Sequence, residues 1–169
     1  MNDFDKAHEY LRQAEKLYKI KPSAYQKDWA ALLYYNAAVL HLRKNDRDKS
    51  LNLLLESFKL SSVSWETNVN LGYLFFLRKD YNNAETAFKN ALLLKEEHPS
   101  DFYNMFGRIL YANNNLDLAI ETFKKGISFN STSELQINLA ATYLKKGEIN
   151  RAKAEIMKMQ FDDQDIALL

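Results

Sequence analysis

The residues best suited to proton transfer or metal ligation in this chain are three histidines, His8, His41 and His98, and they stand far apart. None belongs to a His-Glu-x-x-His pair, the spacing that sets two imidazoles on one face of a helix around zinc. Glu96-Glu97-His98-Pro99 puts three ligand-bearing side chains in a row, but a charged tetrapeptide closed by proline reads as a solvated turn between helical segments. With no cysteine the chain has no thiolate metal site and no disulfide framework. Gly-x-Gly-x-x-Gly, Gly-Lys-Ser/Thr and Gly-x-Ser-x-Gly are all absent, which removes the usual phosphate cradles and the nucleophile elbow. Lys145, Lys146, Arg151, Lys153 and Lys158 make a local basic run with a possible phosphate contact, yet Asp162, Asp163 and Asp165 follow at once and screen it. The chain therefore reads as a protein without catalytic residues, cofactor or metal.

What organises it is a repeat. Ser50, Leu54 and Ser57 recur as Ala84, Phe88 and Ala91, then as Ala119, Phe123 and Gly126, then as Ala152, Ile156 and Met159. The copies begin at 50, 84, 119 and 152, steps of 34, 35 and 33 residues. That period marks a helical repeat in which no unit buries its apolar face alone and stacked neighbours make one continuous core. Four Gly and two Pro in 169 residues leave little for hairpins or flexible linkers, so an all-α chain and one elongated domain, 1–169, are expected. Lys and Arg (23) nearly balance Asp and Glu (22), which disfavours nucleic acid or an anionic membrane as a general partner. The start, MNDFDKAHEY, is charged and amphipathic and unlike an export signal, and no run of 18 apolar residues occurs; the compartment stays open.

Each repeat resolves into two helices. Trp65 to Lys79 is apolar on more than one side, as suits a helix packed between neighbours, while Tyr81 to Leu94 carries one stripe of Tyr81, Ala84, Ala87, Phe88 and Ala91. The small residues provide the gap that two closely crossing helices need. The pattern predicts further pairs at Tyr25 to Lys44 with Arg47 to Leu60, Asp101 to Asn113 with Leu116 to Phe129, and Ser133 to Lys146 with Ile149 to Gln160. Ser131 with Glu134 has capping-box spacing, which places a helix start near Thr132. Phe4, Ala7, Leu11 and Ala14 match only a second helix, so the units are 4–20 (a half-repeat), 25–60, 65–98, 100–131 and 132–160, with a tail at 161–169.

Leu71-Gly72, Phe75, Tyr81, Ala84, Phe88 and Ala91 resemble the tetratricopeptide repeat, as do Phe106-Gly107, Leu110, Leu116, Ala119, Phe123 and Gly126. Asn68 and Tyr103 stand where that family often has tryptophan. The resemblance implies a right-handed α-solenoid of antiparallel helix pairs, about four repeats plus the half-repeat. Its first helices would line a concave groove that holds a peptide or helix of a partner protein. Projected on those helices, the groove residues are Tyr34, His41, Val69, Tyr73, Phe76, Asn104, Arg108, Tyr111, Ile137 and Leu144, with Glu66 and Asp101 at its edge. The carboxylate clamp of chaperone-binding members is not matched: around Asn70 its other four positions, three of them basic in that clamp, hold Tyr34, Ala38, Asp101 and Met105. Two functions follow, an adaptor or chaperone working through the groove, or a scaffold unit that assembles, with itself or within a larger complex, through its solenoid ends.

Overall fold

The computed structural model describes residues 5, 6, 9–13, 16 and 24–166, and the side chains of the last stretch from 27 to 159. From residue 24 onward the helices are α1 (Ala24–Arg43), α2 (Arg47–Leu60), α3 (Trp65–Leu77), α4 (Tyr81–Leu94), α5 (Ser100–Ala112), α6 (Leu116–Phe129), α7 (Ser133–Lys146) and α8 (Ile149–Ile166). There is no strand among the described residues. Residues 9–13 are helical too, with Leu11 buried, whereas Phe4, Ala7 and Ala14 of the half-repeat lie outside the described residues. The last helix runs on to Ile166, so the stretch expected as a tail is helical from 161 to 166. No glycine or proline interrupts it, and propensity carries it past the repeat boundary.

Helix starts follow hydroxyl and carboxylate caps. The Ser64 hydroxyl accepts from the Thr67 N–H at 3.1 Å, and one Asp46 oxygen accepts from the Lys49 N–H at 3.3 Å. The expected capping box is displaced by one residue: Thr132, not Ser131, caps α7, accepting from the Leu135 N–H at 3.3 Å. Ser131 instead meets the Gln136 amide at 3.1 Å.

Each first helix stops on a residue with positive φ: Asn45 (60°), Lys79 (62°), Asn114 (64°) and Gly147 (84°). At three of these stops the next N–H reaches back to close a Schellman turn, Asp46 to His41 (2.9 Å), Asn115 to Leu110 (2.8 Å) and Glu148 to Tyr143 (2.8 Å). At these three stops the second helix of the pair is sent back along the first.

The chain forms two compact units, one running to Lys79 and including Thr86–Lys95, the other made of Asp80–Glu85 and everything from Glu96. In the first, α1 packs on α2 and α2 on α3. Ala38, Leu51, Leu54, Leu71, Leu74 and Ala87 form its core, each buried leucine contributing about 2 kcal/mol. The small positions of α2 have a second use here: Ser50 donates to the Ala38 carbonyl at 2.9 Å and Ser57 to the Ala31 carbonyl at 2.8 Å. Close approach to α1 and satisfaction of its backbone come from the same two side chains. Buried Asn68 donates to the Ser62 and Ser64 carbonyls (3.0 and 2.8 Å), tying down the entry to α3.

In the second unit α5 packs on α6, α6 on α7 and α7 on α8, and α5 also touches α7, its equivalent one repeat on. Ile109, Leu110, Phe123, Leu135, Leu139 and Tyr143 fill this core. A Cβ at Gly107 would lie 2.6 Å from both Cδ1 and Cζ of Phe123, so the phenyl ring occupies the space a side chain would take. Glu85 is buried and its carboxylate accepts from the side-chain amides of Asn113 and Asn115, both at 2.6 Å, pinning the turn that follows α5.

Candidate functional site

The face expected to meet a partner is carried by the first helix of each pair. In the first unit α3 presents Val69, Tyr73 and Phe76, all partly exposed, at spacings of four and three. Tyr34 on α1 is also partly exposed. Next to it the Tyr35 hydroxyl accepts from the Asn70 amide at 3.4 Å. Burial, and then the negative charge of Glu66, hold the Tyr35 phenol above its ordinary pKa, against the opposing hydrogen bond from Asn70. Glu66 is paired with Lys95 at 3.7 Å, and the Lys95 ammonium sits 4.0 Å from the centre of the Trp65 ring.

His41 does not belong to this face. It is 2% exposed, and its Nδ1 lies 3.0 Å from an Asp46 carboxylate oxygen at the turn into α2. The projection from sequence sees only the helix, whereas the turn after it brings Asp46, the N-cap of α2, back against His41. His98 is also buried, which corrects its expected place in a solvated turn. It stacks on Phe102 with ring centres 4.3 Å apart and meets Tyr103 edge-on. A flat ring against aromatic neighbours gains more from that packing than from water.

In the second unit Asn104, Arg108 and Tyr111 follow one stripe of α5, and α7 answers each of them. The Asn138 amide donates to the Asn104 side-chain oxygen at 2.8 Å, Arg108 faces Glu134 at 3.7 Å, and Lys145 donates to the Tyr111 carbonyl at 2.8 Å while standing 4.2 Å over its ring. Asn104 is nearly buried by this pairing, so its part is to join the two helices. Ile137 and Leu144 of α7 stay half in solvent, 53% and 52% exposed.

Sequence reasoning gave Asn70, Asn138 and Lys145 no part in this face, although they bond to Tyr35, Asn104 and Tyr111. A signal existed, since Asn70, Asn104 and Asn138 stand 34 residues apart, at one position of successive repeats. The basic run near the end is largely neutralised. Lys146 meets Asp117 (2.5 Å) and Glu148 (2.7 Å), Arg151 meets Glu148 (2.7 Å) and Lys158 meets Glu155 (3.0 Å). The hydrogen bonds that Lys146 donates to Asp117 and Glu148 raise its pKa, and the one that Glu148 accepts lowers the pKa of Glu148. Among the described residues no three His, Cys, Asp or Glu side chains converge as metal ligands, and no helix is long and apolar enough to cross a membrane.

Antiparallel helix pairs with small residues at their crossings and a positive-φ stop after each first helix define a helical-repeat protein. The chain belongs to the tetratricopeptide repeat family: models of that repeat match residues 35–102 and 100–132. Members of this family are protein-interaction modules. Among known proteins, the BBSome complex member BBS4 of Bos taurus is 34% identical over 98 residues, 57% of this chain and 18% of its own. The chain thus spans less than a fifth of that relative's length. Among solved structures, one of MamA superposes with a TM-score of 0.78 at 21% identity, covering 98% of this chain and 85% of its own. YrrB, described as a TPR protein with an unusual peptide-binding site, gives 0.68 at 19% identity, with 84% and 70% covered.

Proposed function

We propose that this chain is a non-enzymatic adaptor or chaperone whose first-helix face binds a peptide or helical segment of another protein. The observation that carries the reading is the state of Ile137 and Leu144. Exposed apolar side chains carry weight where they share a face with other anchors, and these two, seven residues apart on α7, remain half exposed beside the Arg108–Glu134 and Tyr111–Lys145 pairs. Exposed aliphatics flanked by a tyrosine and an arginine suit the apolar side of a partner segment, with the larger anchors carrying most of the energy. Tyr73 and Phe76 offer the first unit's equivalent. The peptide-binding site of YrrB, on the same fold, supports the reading. The test is affinity capture from lysate of the source organism with the parent chain and a Tyr73→Ala/Arg108→Glu variant verified as helical by circular dichroism. The adaptor reading expects a specific protein to be retained by the parent and lost by the variant. Identical sets on both would overturn it.

A scaffold role through the solenoid ends is the second reading, favoured by one feature. Ile149, Ile156 and Met157 of α8 are 55%, 43% and 56% exposed. On that reading Ile156→Glu changes the sedimentation coefficient of an assembled parent, and a parent that stays monomeric at all concentrations excludes it.

A further inference from the structure

Between α1 and the junction of α2 with α3, within the first unit, lies a cavity of about 400 Å3. Ala31, Leu32 and the ring of Tyr35, on successive turns of α1, form an apolar wall, while Asp28 on the same face and Glu66 in the first turn of α3 bring carboxylates to it. The buried hydroxyls on the far side are engaged elsewhere: Ser57 donates to the Ala31 carbonyl and lies 3.3 Å from the Thr67 hydroxyl. Glu66 accepts from the Ser64 hydroxyl at 3.4 Å and faces Lys95 at 3.7 Å, a lysine itself drawn over Trp65, and Asp28 has no ion pair among the described residues. No cationic side chain lines the cavity.

We propose that this cavity is a subsite for the side chain of a lysine or arginine in the bound partner segment. The argument is one of complementarity. A basic side chain is a stem of methylenes that gains by lying on an apolar wall, ended by a cation that two carboxylates attract. An apolar residue seated there would strip water from Asp28 and Glu66 with nothing in return, and an acidic one would be repelled. The raised pKa of Tyr35, due in part to Glu66, is a second sign of the negative potential at this wall. The proposal rests on the reading that the first-helix face meets a partner, and adds the charge that the partner must bring.

The test is an NMR titration of the full chain, isotope-labelled, with N-acetyl-arginine methylamide, N-acetyl-lysine methylamide and N-acetyl-citrulline methylamide, the last matching arginine in shape without its charge. Expected are shifts at the amides of Leu32, Tyr35 and Thr67 with one or both cationic probes. Binding should weaken about fivefold for citrulline, and by a similar factor in an Asp28→Asn/Glu66→Gln variant, as the loss of two part-exposed ion pairs implies. Which cationic probe binds tighter distinguishes arginine from lysine. Equal response to citrulline, unchanged affinity in the variant, or no response at these amides overturns the proposal. The Tyr73→Ala/Arg108→Glu variant keeps every residue of the cavity. A silent cavity together with a partner lost by that variant condemns the cavity alone, and a responsive cavity with all partners retained condemns the groove reading alone.

Discussion

Gly107→Ala tests the packing of the second unit at its tightest point. The added methyl would sit 2.6 Å from two atoms of the Phe123 ring and closer still to Cε1, where carbon atoms prefer about 3.5–4.0 Å. The ring must retreat by about 1 Å, and at 1% exposure it has only packed neighbours to retreat into. Overpacking of this kind costs about 1–3 kcal/mol, and contact with three ring atoms puts it at the upper end. Alanine in a helix interior returns about 1 kcal/mol over glycine, leaving a net loss of about 2 kcal/mol. For a chain of this size that lowers the melting temperature by about 4–8 °C. Urea unfolding followed by circular dichroism measures the loss. Adding Phe123→Leu should recover at least about 1 kcal/mol relative to the sum of the single changes, since the shorter side chain vacates the contested space. A Gly107→Ala protein as stable as the parent, or more stable, would refute the reasoning.

Two further outcomes follow from the turns. Lys79→Gly should raise stability by about 0.5–1 kcal/mol, because lysine is held at a φ of 62° that glycine adopts without a Cβ penalty; a lower melting temperature would contradict the assignment. Asp46→Asn should make stability less dependent on pH in acid. The Lys49 N–H, and secondarily His41, hold the Asp46 carboxyl below the usual carboxylate range. Its contribution is therefore present above an unfolded value of about 3.9 and is lost as pH falls through the lower folded value. The stability gap between parent and variant should narrow as pH drops from about 5 to about 2, and a constant gap would count against that role.

The helix pairs were legible from residue types and spacing because a repeated fold states the same local rule several times. The bounds of α2, α4, α6 and α7 fall where the spacing of small and large apolar residues places them. Asn45, Lys79, Asn114 and Gly147 also recur at the repeat's own step, a turn signal in plain sight that lysine and asparagine obscure by not being glycine. The candidate site was less legible. Helical projection put Val69, Tyr73 and Phe76 on one stripe of α3 and Asn104, Arg108 and Tyr111 on one stripe of α5, but it missed the partners that α7 supplies in Asn138, Glu134 and Lys145. It also sent His41 outward and left His98 in solvent, since both depend on ring contacts and turn geometry that no periodicity encodes.

By itself the amino-acid sequence determined the helical class, the repeat step, the small residues at the crossings and the want of catalytic motifs, because all of these are local or periodic properties of one chain. The tertiary structure decided which side chains the neighbouring helix leaves in solvent. Ile137 and Leu135 are similar aliphatics two residues apart on α7, yet one is 53% exposed and the other 1%. Burial is a property of the neighbour as much as of the residue, and in a solenoid that neighbour lies about one repeat away in sequence.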